Sequence, residues 1–125
     1  MSGRILIVDD SGLARRRARA ILEGAGFEVI EAEDGMSALE TYYVQKPDVV
    51  LLDLVMKGMY GLDVLQKLRE LDPAVRVIVV SADVQTSSHD LVRAAGAVGF
   101  INKPAAPGQI VKIVAQILAG GTSWS

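Results

Sequence analysis

Charged and hydroxyl side chains follow four of the apolar runs in this sequence, at the point where each run ends. Asp9 and Asp10 follow the first run, Asp53 the third, Ser81 the fourth and Lys103 the fifth. Each residue taken singly also has an ordinary use as a helix cap, a turn residue or the end of a strand. Their shared position at the ends of apolar runs is the feature that predicts a common site.

Three carboxylates gathered in one place repel one another and raise each other's pKa unless a cation neutralises them. The chain has no cysteine and a single histidine, His89, which the helical pattern places away from these residues. Zinc is therefore disfavoured, whereas oxygen ligands alone suit Mg²⁺, which often accompanies phosphate. Lys103 would then contribute a positive charge to phosphoryl oxygens, and Ser81 a hydrogen bond. The pattern predicts a site that handles a phosphoryl group.

The composition indicates the kind of protein that carries this site. Of the 125 residues, 50% are hydrophobic and 22% are charged, with a net charge of -2. These values predict a single folded domain over residues 1–125, with its core at about 4–118 and a tail at 119–125. The charge gives no sign of nucleic-acid binding, and no apolar run approaches the roughly 18 residues that a membrane span needs. Without cysteine or a secretory leader, we expect a cytoplasmic protein.

Apolar runs alternate with helical patterns along the chain. Short apolar runs predict strands at residues 4–8, 27–30, 49–52, 77–80 and 99–102. Apolar residues at three- and four-residue spacing predict helices around residues 14–25, 35–45, 62–71, 91–95 and 110–118. Five such βα units predict an α/β fold, a flavodoxin-like, doubly wound open parallel sheet with strand order 2-1-3-4-5.

This topology explains why residues far apart in the sequence would meet. In an open parallel sheet, ligands bind outside the carboxyl ends of the strands, which is where the polar residues stand. Five units are too few for a closed eight-stranded barrel. No Gly-x-Gly-x-x-Gly follows the first strand, so a dinucleotide-binding domain is disfavoured.

Taken together, these motifs resemble the receiver domains of two-component response regulators. The resemblance spans residues 4–118, and its motifs are Asp9-Asp10, Leu51-Leu52-Asp53 with Met56 and Gly61, Ser81-Ala82, and Gly99-Phe100-Ile101-Asn102-Lys103-Pro104. It implies a stand-alone signalling switch rather than a turnover enzyme. Such a switch acts through a downstream protein target and binds neither nucleic acid nor membrane.

By this resemblance, Asp53 accepts a phosphoryl group from a sensor histidine kinase or a histidine phosphotransfer protein. Asp10, Asp53 and the backbone carbonyl of Val55 would ligate Mg²⁺, for which Mn²⁺ can substitute. Asp9 would act on the ion through water, and Lys103 would contact the phosphoryl oxygens. Sensor kinases of this system usually dock on the first helix. Its arginines, Arg15, Arg16, Arg17 and Arg19, would either contribute to that contact or, as the simpler alternative, form a solvated face.

The resemblance also implies a conformational switch. The hydroxyl of Ser81 would move toward the phosphate, and Phe100 would turn inward as it moved. The surface that changes would comprise the fourth helix, fifth strand and fifth helix, residues 84–118. For Phe100 an ordinary core position is the simpler alternative. Pro104 is a candidate for a cis peptide bond, and we expect a monomer, with dimerisation on phosphorylation left open.

The loop after Asp53 departs from the common family pattern. Lys57 stands where many receivers have proline, and Tyr60 where an acidic residue often precedes the glycine. Lys57 would either add a cation beside the site or point into solvent. Val55 and Asp83 occupy positions that tune the lifetime of the aspartyl phosphate in this family.

Two other functions stay open from the sequence. A Mg²⁺-dependent phosphatase of the haloacid-dehalogenase type also uses an aspartate at a strand end. It expects a second aspartate two residues later, where Val55 stands. An FMN-binding flavodoxin-like module would need a loop of Ser, Thr and Gly where Asp9 and Asp10 stand, and these carboxylates would repel its phosphate.

Overall fold

The structure is a computed structural model that describes residues 3–56, 59–82 and 86–122, without the side chains of Met59 and residues 86–88. Lys57 and Asp83, two predicted modulators, lie outside the described residues. The elements in chain order are β1 (Arg4–Val8), α1 (Gly12–Gly24), β2 (Glu28–Ala32), α2 (Gly35–Gln45), β3 (Val49–Asp53), β4 (Val55–Met56), β5 (Met59–Tyr60), α3 (Gly61–Leu71), β6 (Val77–Ser81), α4 (Thr86–Ala94), β7 (Gly99–Asn102) and α5 (Pro107–Leu118).

Five of the strands form one parallel sheet in the order β2-β1-β3-β6-β7. The short strands β4 and β5 pair with each other as an antiparallel hairpin outside this sheet. Because the hairpin takes the labels β4 and β5, the fourth and fifth strands of the sheet are labelled β6 and β7. The observed order is therefore the predicted order 2-1-3-4-5. The flavodoxin-like α/β fold is therefore confirmed.

The second strand is displaced from its predicted position at residues 27–30. It begins one residue later and ends two residues later, at Ala32. The N–H of Phe27 donates to the carbonyl of Leu22 at 3.0 Å, and Gly26 has a φ of 96°, so Phe27 belongs to the turn after α1. The prediction was wrong because pairing with all five residues of β1 sets the length of the strand.

Helices cover both faces of the sheet. Leu22 of α1 and Val114 of α5 are buried against one face, and Leu65 of α3 and Val92 of α4 against the other. Every residue of β3 is buried, as expected for a central strand covered on both sides. The polar side chains of the central strands β3 and β6 therefore stand at the strand ends. Within the described ranges, no helix combines the length and apolar character needed to cross a bilayer.

Candidate functional site

Four strands bring the predicted side chains to one edge of the sheet. Asp9 follows β1, Asp53 ends β3, Ser81 ends β6 and Lys103 follows β7. One carboxylate oxygen each from Asp9, Asp10 and Asp53 lies within 4.8 Å of the other two. Residues from distant parts of the sequence thus meet. We call Asp9, Asp10 and Asp53 the carboxylate cluster.

Asp9 is the most firmly held member of this cluster. It is buried, and its Oδ1 accepts a hydrogen bond from the N–H of Ser11 at 2.9 Å. Its Oδ2 lies 3.2 Å from Nζ of Lys103. The hydroxyl of Ser11 accepts in turn from the N–H of Ala14 and so caps α1. Both oxygens of Asp9 therefore already have protein donors, whereas Asp10 is exposed.

Asp53 shares the ammonium group of Lys103 with Asp9. Only 9% of the residue is exposed, its Oδ2 lies 3.6 Å from Nζ of Lys103, and its Oδ1 lies 3.4 Å from the N–H of Val55. Burial raises the pKa of Asp53 to about 6, Lys103 opposes this shift, and the nearby charges of Asp9 and Asp10 add to it. One ammonium group does not fully compensate the negative charge of the cluster.

The donor set fits a hard divalent cation. It consists of carboxylate oxygens. Mg²⁺ and Mn²⁺ favour oxygen ligands, whereas zinc favours cysteine and histidine. Asp10 is exposed and can take up an ion arriving from solvent. After burial, the charges of Asp9 and Asp10 help to raise the pKa of Asp53, and a bound cation would neutralise this negative charge. The described residues thus form an acidic pocket suited to Mg²⁺.

Gly61, the first residue of α3, packs closely against the backbone at the end of β3. The N–H of Gly61 donates to the carbonyl of Leu54 at 2.7 Å. A Cβ atom on Gly61 would lie 2.5 Å from the carbonyl oxygen of Asp53 and 2.7 Å from Cα of Leu54. Both neighbours are backbone, so no side chain fits at position 61 without displacing the strand end. The sequence marks Gly61 as part of a motif but cannot show this contact.

Ser81 and Lys103 are joined through the backbone. Ser81 is 2% exposed, and its carbonyl accepts from the N–H of Lys103 at 2.9 Å. The peptide bond between Lys103 and Pro104 is cis in the structure. The backbone hydrogen bond places Lys103 next to the end of β6, and its ammonium group reaches Asp9 and Asp53.

Phe100 has a partner that the sequence did not indicate. It is largely buried in β7, and the ring of His89 from α4 stacks on it with centroids 3.9 Å apart and an interplanar angle of 30°. Nε2 of His89 is buried and has no hydrogen-bond partner among the described residues. The Phe100 side chain already lies inward. The inward rotation predicted for it would therefore require its ring to rearrange against the ring of His89. No spacing rule shows that a helix residue faces a strand residue eleven positions later.

Two of the α1 arginines, Arg15 and Arg19, contact β2 and the end of β1 next to the site. Arg15 donates to the backbone carbonyl of Asp9 at 2.6 Å and pairs with Glu31 of β2 at 3.0 Å. Arg19 pairs with the other oxygen of Glu31 at 2.6 Å and holds the pKa of this carboxyl below its usual range. Arg16 and Arg17 are exposed. The arginines of α1 therefore divide into two that support β1 and β2 and two that face solvent.

Comparison with known proteins agrees with this geometry. The family model described as response regulator receiver domain matches residues 5–115. The chemotaxis protein CheY of Thermotoga maritima is 37% identical over 118 residues, covering 94% of this chain and 98% of that protein. CheY of Bacillus subtilis is 38% identical over 119 residues, covering 94% and 99%.

The solved structures agree as well. A two-component response regulator of the LuxR family from Aurantimonas sp. SI85-9A1 superimposes with a TM-score of 0.94 at 30% identity, covering 100% of this chain and 91% of that one. The fold, the acidic pocket and the sequence relatives lead to one assignment. The chain belongs to the response regulator receiver domain family of two-component signalling.

Proposed function

We propose that Asp53 is the phosphoacceptor of this receiver. It takes a phosphoryl group from the phosphohistidine of a sensor histidine kinase or a histidine phosphotransfer protein. The observation that supports this proposal most is the setting of the Asp53 carboxylate. It is nearly buried, with Nζ of Lys103 at 3.6 Å and carboxylate oxygens of Asp9 and Asp10 within 4.8 Å.

The chemistry requires alignment and charge neutralisation more than proton transfer. An oxygen of Asp53 forms a bond to phosphorus as the P–N bond of the phosphohistidine breaks, and the electron pair of that bond returns to the imidazole. The transition state is loose, with charge spread over the phosphoryl oxygens. The ammonium group of Lys103 stands close enough to Asp53 to neutralise part of this charge.

The carboxylate cluster would hold Mg²⁺, or Mn²⁺ in its place, during this reaction. When bound, the ion supplies positive charge to the phosphoryl oxygens. Asp10, Asp53 and the backbone carbonyl of Val55 would be the protein ligands. Asp9 would act through a bound water, because both of its oxygens already accept from Ser11 and Lys103.

Phosphorylation would then change a surface. The new phosphoryl oxygens would accept a hydrogen bond from the Ser81 hydroxyl, and Phe100 would adjust against α4. The surface formed by α4, β7 and α5 would change with them and control a downstream protein in the cytoplasm. The reaction occurs once per activation cycle, so the chain acts as a switch rather than a turnover enzyme.

The kinase would dock on α1 beside the carboxylate cluster. Arg16 and Arg17 are the exposed cations there, since Arg15 and Arg19 are paired with Glu31. Reversing the exposed pair to glutamate should slow phosphotransfer from a cognate kinase without changing the rate with acetyl phosphate, which needs no docking. An equal loss with both donors would contradict docking at this position.

The direct test is intact mass after incubation with acetyl phosphate, with and without Mg²⁺. We expect a gain of one phosphoryl group that requires the ion. Asp53→Asn serves as the control and should gain none. Failure of the wild-type protein to gain mass under any condition would contradict the proposal.

Neither alternative function gains support from a specific observation. The haloacid-dehalogenase reaction needs a carboxylate two residues after the nucleophile, and the residue there is Val55, which has none. An FMN phosphate would meet the buried carboxylate of Asp9 after β1. A receiver switch accounts for the lysine and the acidic pocket together.

A further inference from the structure

His89 is the single histidine of the chain, and the proposed function gives it no role. It lies on α4, and its ring stacks on the ring of Phe100 in β7 with the centroids 3.9 Å apart. Both elements belong to the surface that we expect phosphorylation to change. The two rings are therefore in direct contact across the boundary between α4 and β7.

β7 leads directly from this stack to the proposed phosphoacceptor site. Phe100 lies opposite Val79 of β6, and two residues later Asn102 lies opposite Ser81. The next residue is Lys103, whose N–H donates to the carbonyl of Ser81 at 2.9 Å. Phe100 is largely buried in the core on the face of the sheet that α3 and α4 cover. A displacement of the strand end at the site would therefore move the Phe100 ring against α4.

The stack has a cost that makes a second position of the imidazole accessible. Nε2 of His89 is buried and has no hydrogen-bond partner in the part of the chain that the structure describes. A buried nitrogen without a partner loses the hydrogen bonds that it would form with water. The residue as a whole is only partly buried, so its ring lies close to solvent. Turning outward would hydrate Nε2 and give up the packing on Phe100, and these two effects oppose each other.

Opposing effects of this kind bring two arrangements of one side chain close in free energy, and a small change nearby then shifts the balance. A movement of Phe100 would reduce the packing on the His89 ring, while the gain from hydrating Nε2 would stay the same. His89 is therefore suited to leave the stack when Phe100 moves. Val92, three residues later on α4, is apolar and 1% exposed, so it gains nothing from such a movement.

We propose that His89 is a positioning residue that couples Phe100 to α4, because its imidazole leaves the stack when the site is phosphorylated and so changes the surface of α4. The inference rests on the proposed function, since it takes Asp53 as the phosphoacceptor and Phe100 as the residue that adjusts. A downstream protein that binds this surface would meet an exposed imidazole in the phosphorylated protein and a stacked one in the unphosphorylated protein.

The imidazole itself reports its position by nuclear magnetic resonance. Because His89 is the single histidine, the untagged protein gives one imidazole Hε1 signal. The ring current of Phe100 displaces this signal while the rings are stacked. At constant pH, Mg²⁺ with beryllofluoride, a stable mimic of a phosphoryl group on a carboxylate, should move the signal toward its position in Phe100→Leu, which has no ring current. Asp53→Asn is the control and should show no movement.

Amide signals of the same samples separate this inference from the proposed function. Ala82 follows β6 and Lys103 follows β7, so their amides should respond to beryllofluoride if Asp53 is the phosphoacceptor. A response there with an unmoved imidazole signal would overturn the inference and leave the proposed function standing. No response of either kind would contradict the proposed function and the inference with it.

Variants test whether the ring of His89 carries the change to α4. His89→Leu keeps apolar packing but removes the ring, so the amides of residues 90–94 should lose most of their response to beryllofluoride while Ala82 still responds. His89→Tyr keeps an aromatic ring with a polar end and should retain the α4 response. Val92→Ala is the matched control, because it removes packing between α4 and the sheet and leaves both rings in place. An intact α4 response in His89→Leu, or an equal loss in Val92→Ala, would overturn the coupling.

Discussion

Asp53 carries a carboxylate that folding makes harder to ionise. Burial is the largest cause and raises its pKa from 3.8 to about 6, while Lys103 opposes the shift. Because the pKa is higher in the folded than in the unfolded chain, the folded state loses stability as the group ionises. This loss develops as the pH rises from about 4 to about 6 and is complete above that range.

Replacing Asp53 by asparagine should therefore stabilise the protein at neutral pH. Without divalent cation at pH 7, we expect the free energy of unfolding of Asp53→Asn to exceed that of the wild type by about 1–3 kcal/mol. At pH 3.5 the gain should largely vanish, because Asp53 is then protonated in the wild type. Urea denaturation at the two pH values measures this, and an equal gain at both would contradict the stated cause.

His89 affects the stability of the fold in two opposite ways: its ring packs on Phe100, which stabilises the folded state, and its buried Nε2 destabilises it. The rings pack face to face, but the buried Nε2 lacks a partner among the described residues. His89→Leu keeps apolar packing and removes the nitrogen, so we expect unchanged stability or a gain of about 1 kcal/mol. His89→Ala removes the packing as well and should cost about 1–3 kcal/mol. Equal losses in the two variants, measured by urea denaturation, would refute this account.

At the scale of elements, the junction between β3 and α3 is the most constrained part of the site. Gly61→Ala would place a Cβ against the backbone of Asp53 and Leu54. We expect a loss of more than about 2 kcal/mol in the free energy of unfolding and impaired phosphorylation by acetyl phosphate. Gly24→Ala at the end of α1 is the control, since nothing lies within 4 Å of its Cβ position. A Gly61→Ala protein as stable as this control would contradict the steric argument.

The elements differ in how well the sequence predicts them. β1, β3, β6 and β7 are largely apolar runs that end in a polar residue or are followed directly by one, and their burial explains why this signal is clear. β2 is more polar, and its ends depend on pairing with β1, which the local sequence does not show. The β4–β5 hairpin has two residues per strand, too few for any alternation to reveal it.

At the scale of the whole molecule, topology explains both what the sequence predicts about the site and what it does not. The rule that ligands bind at the carboxyl ends of parallel strands brings Asp9, Asp53 and Lys103 together from their positions alone. Contacts between a helix and a strand on one face follow no such rule. The stack on Phe100 and the anchoring of Asp9 by Arg15 are of this kind, and they emerge only in three dimensions.

The acidic pocket should couple divalent cation binding to the stability of the whole chain. An ion that binds only the folded state stabilises it, by about 2.7 kcal/mol at a hundred times its Kd. We expect saturating Mg²⁺ to raise the Tm of the wild type and of Asp63→Ala, an exposed aspartate of α3 outside the cluster. Asp10→Ala should lose most of this increase. A similar rise in all three proteins would indicate binding elsewhere.

The position of the phosphoryl group tests the central claim most directly. After phosphorylation with acetyl phosphate and Mg²⁺, reduction with borohydride converts an aspartyl phosphate to homoserine, and peptide mass spectrometry locates the change. The account predicts homoserine at position 53 and unmodified aspartate at positions 9 and 10. A modification at either of those two positions, or at any other residue instead of Asp53, would contradict it.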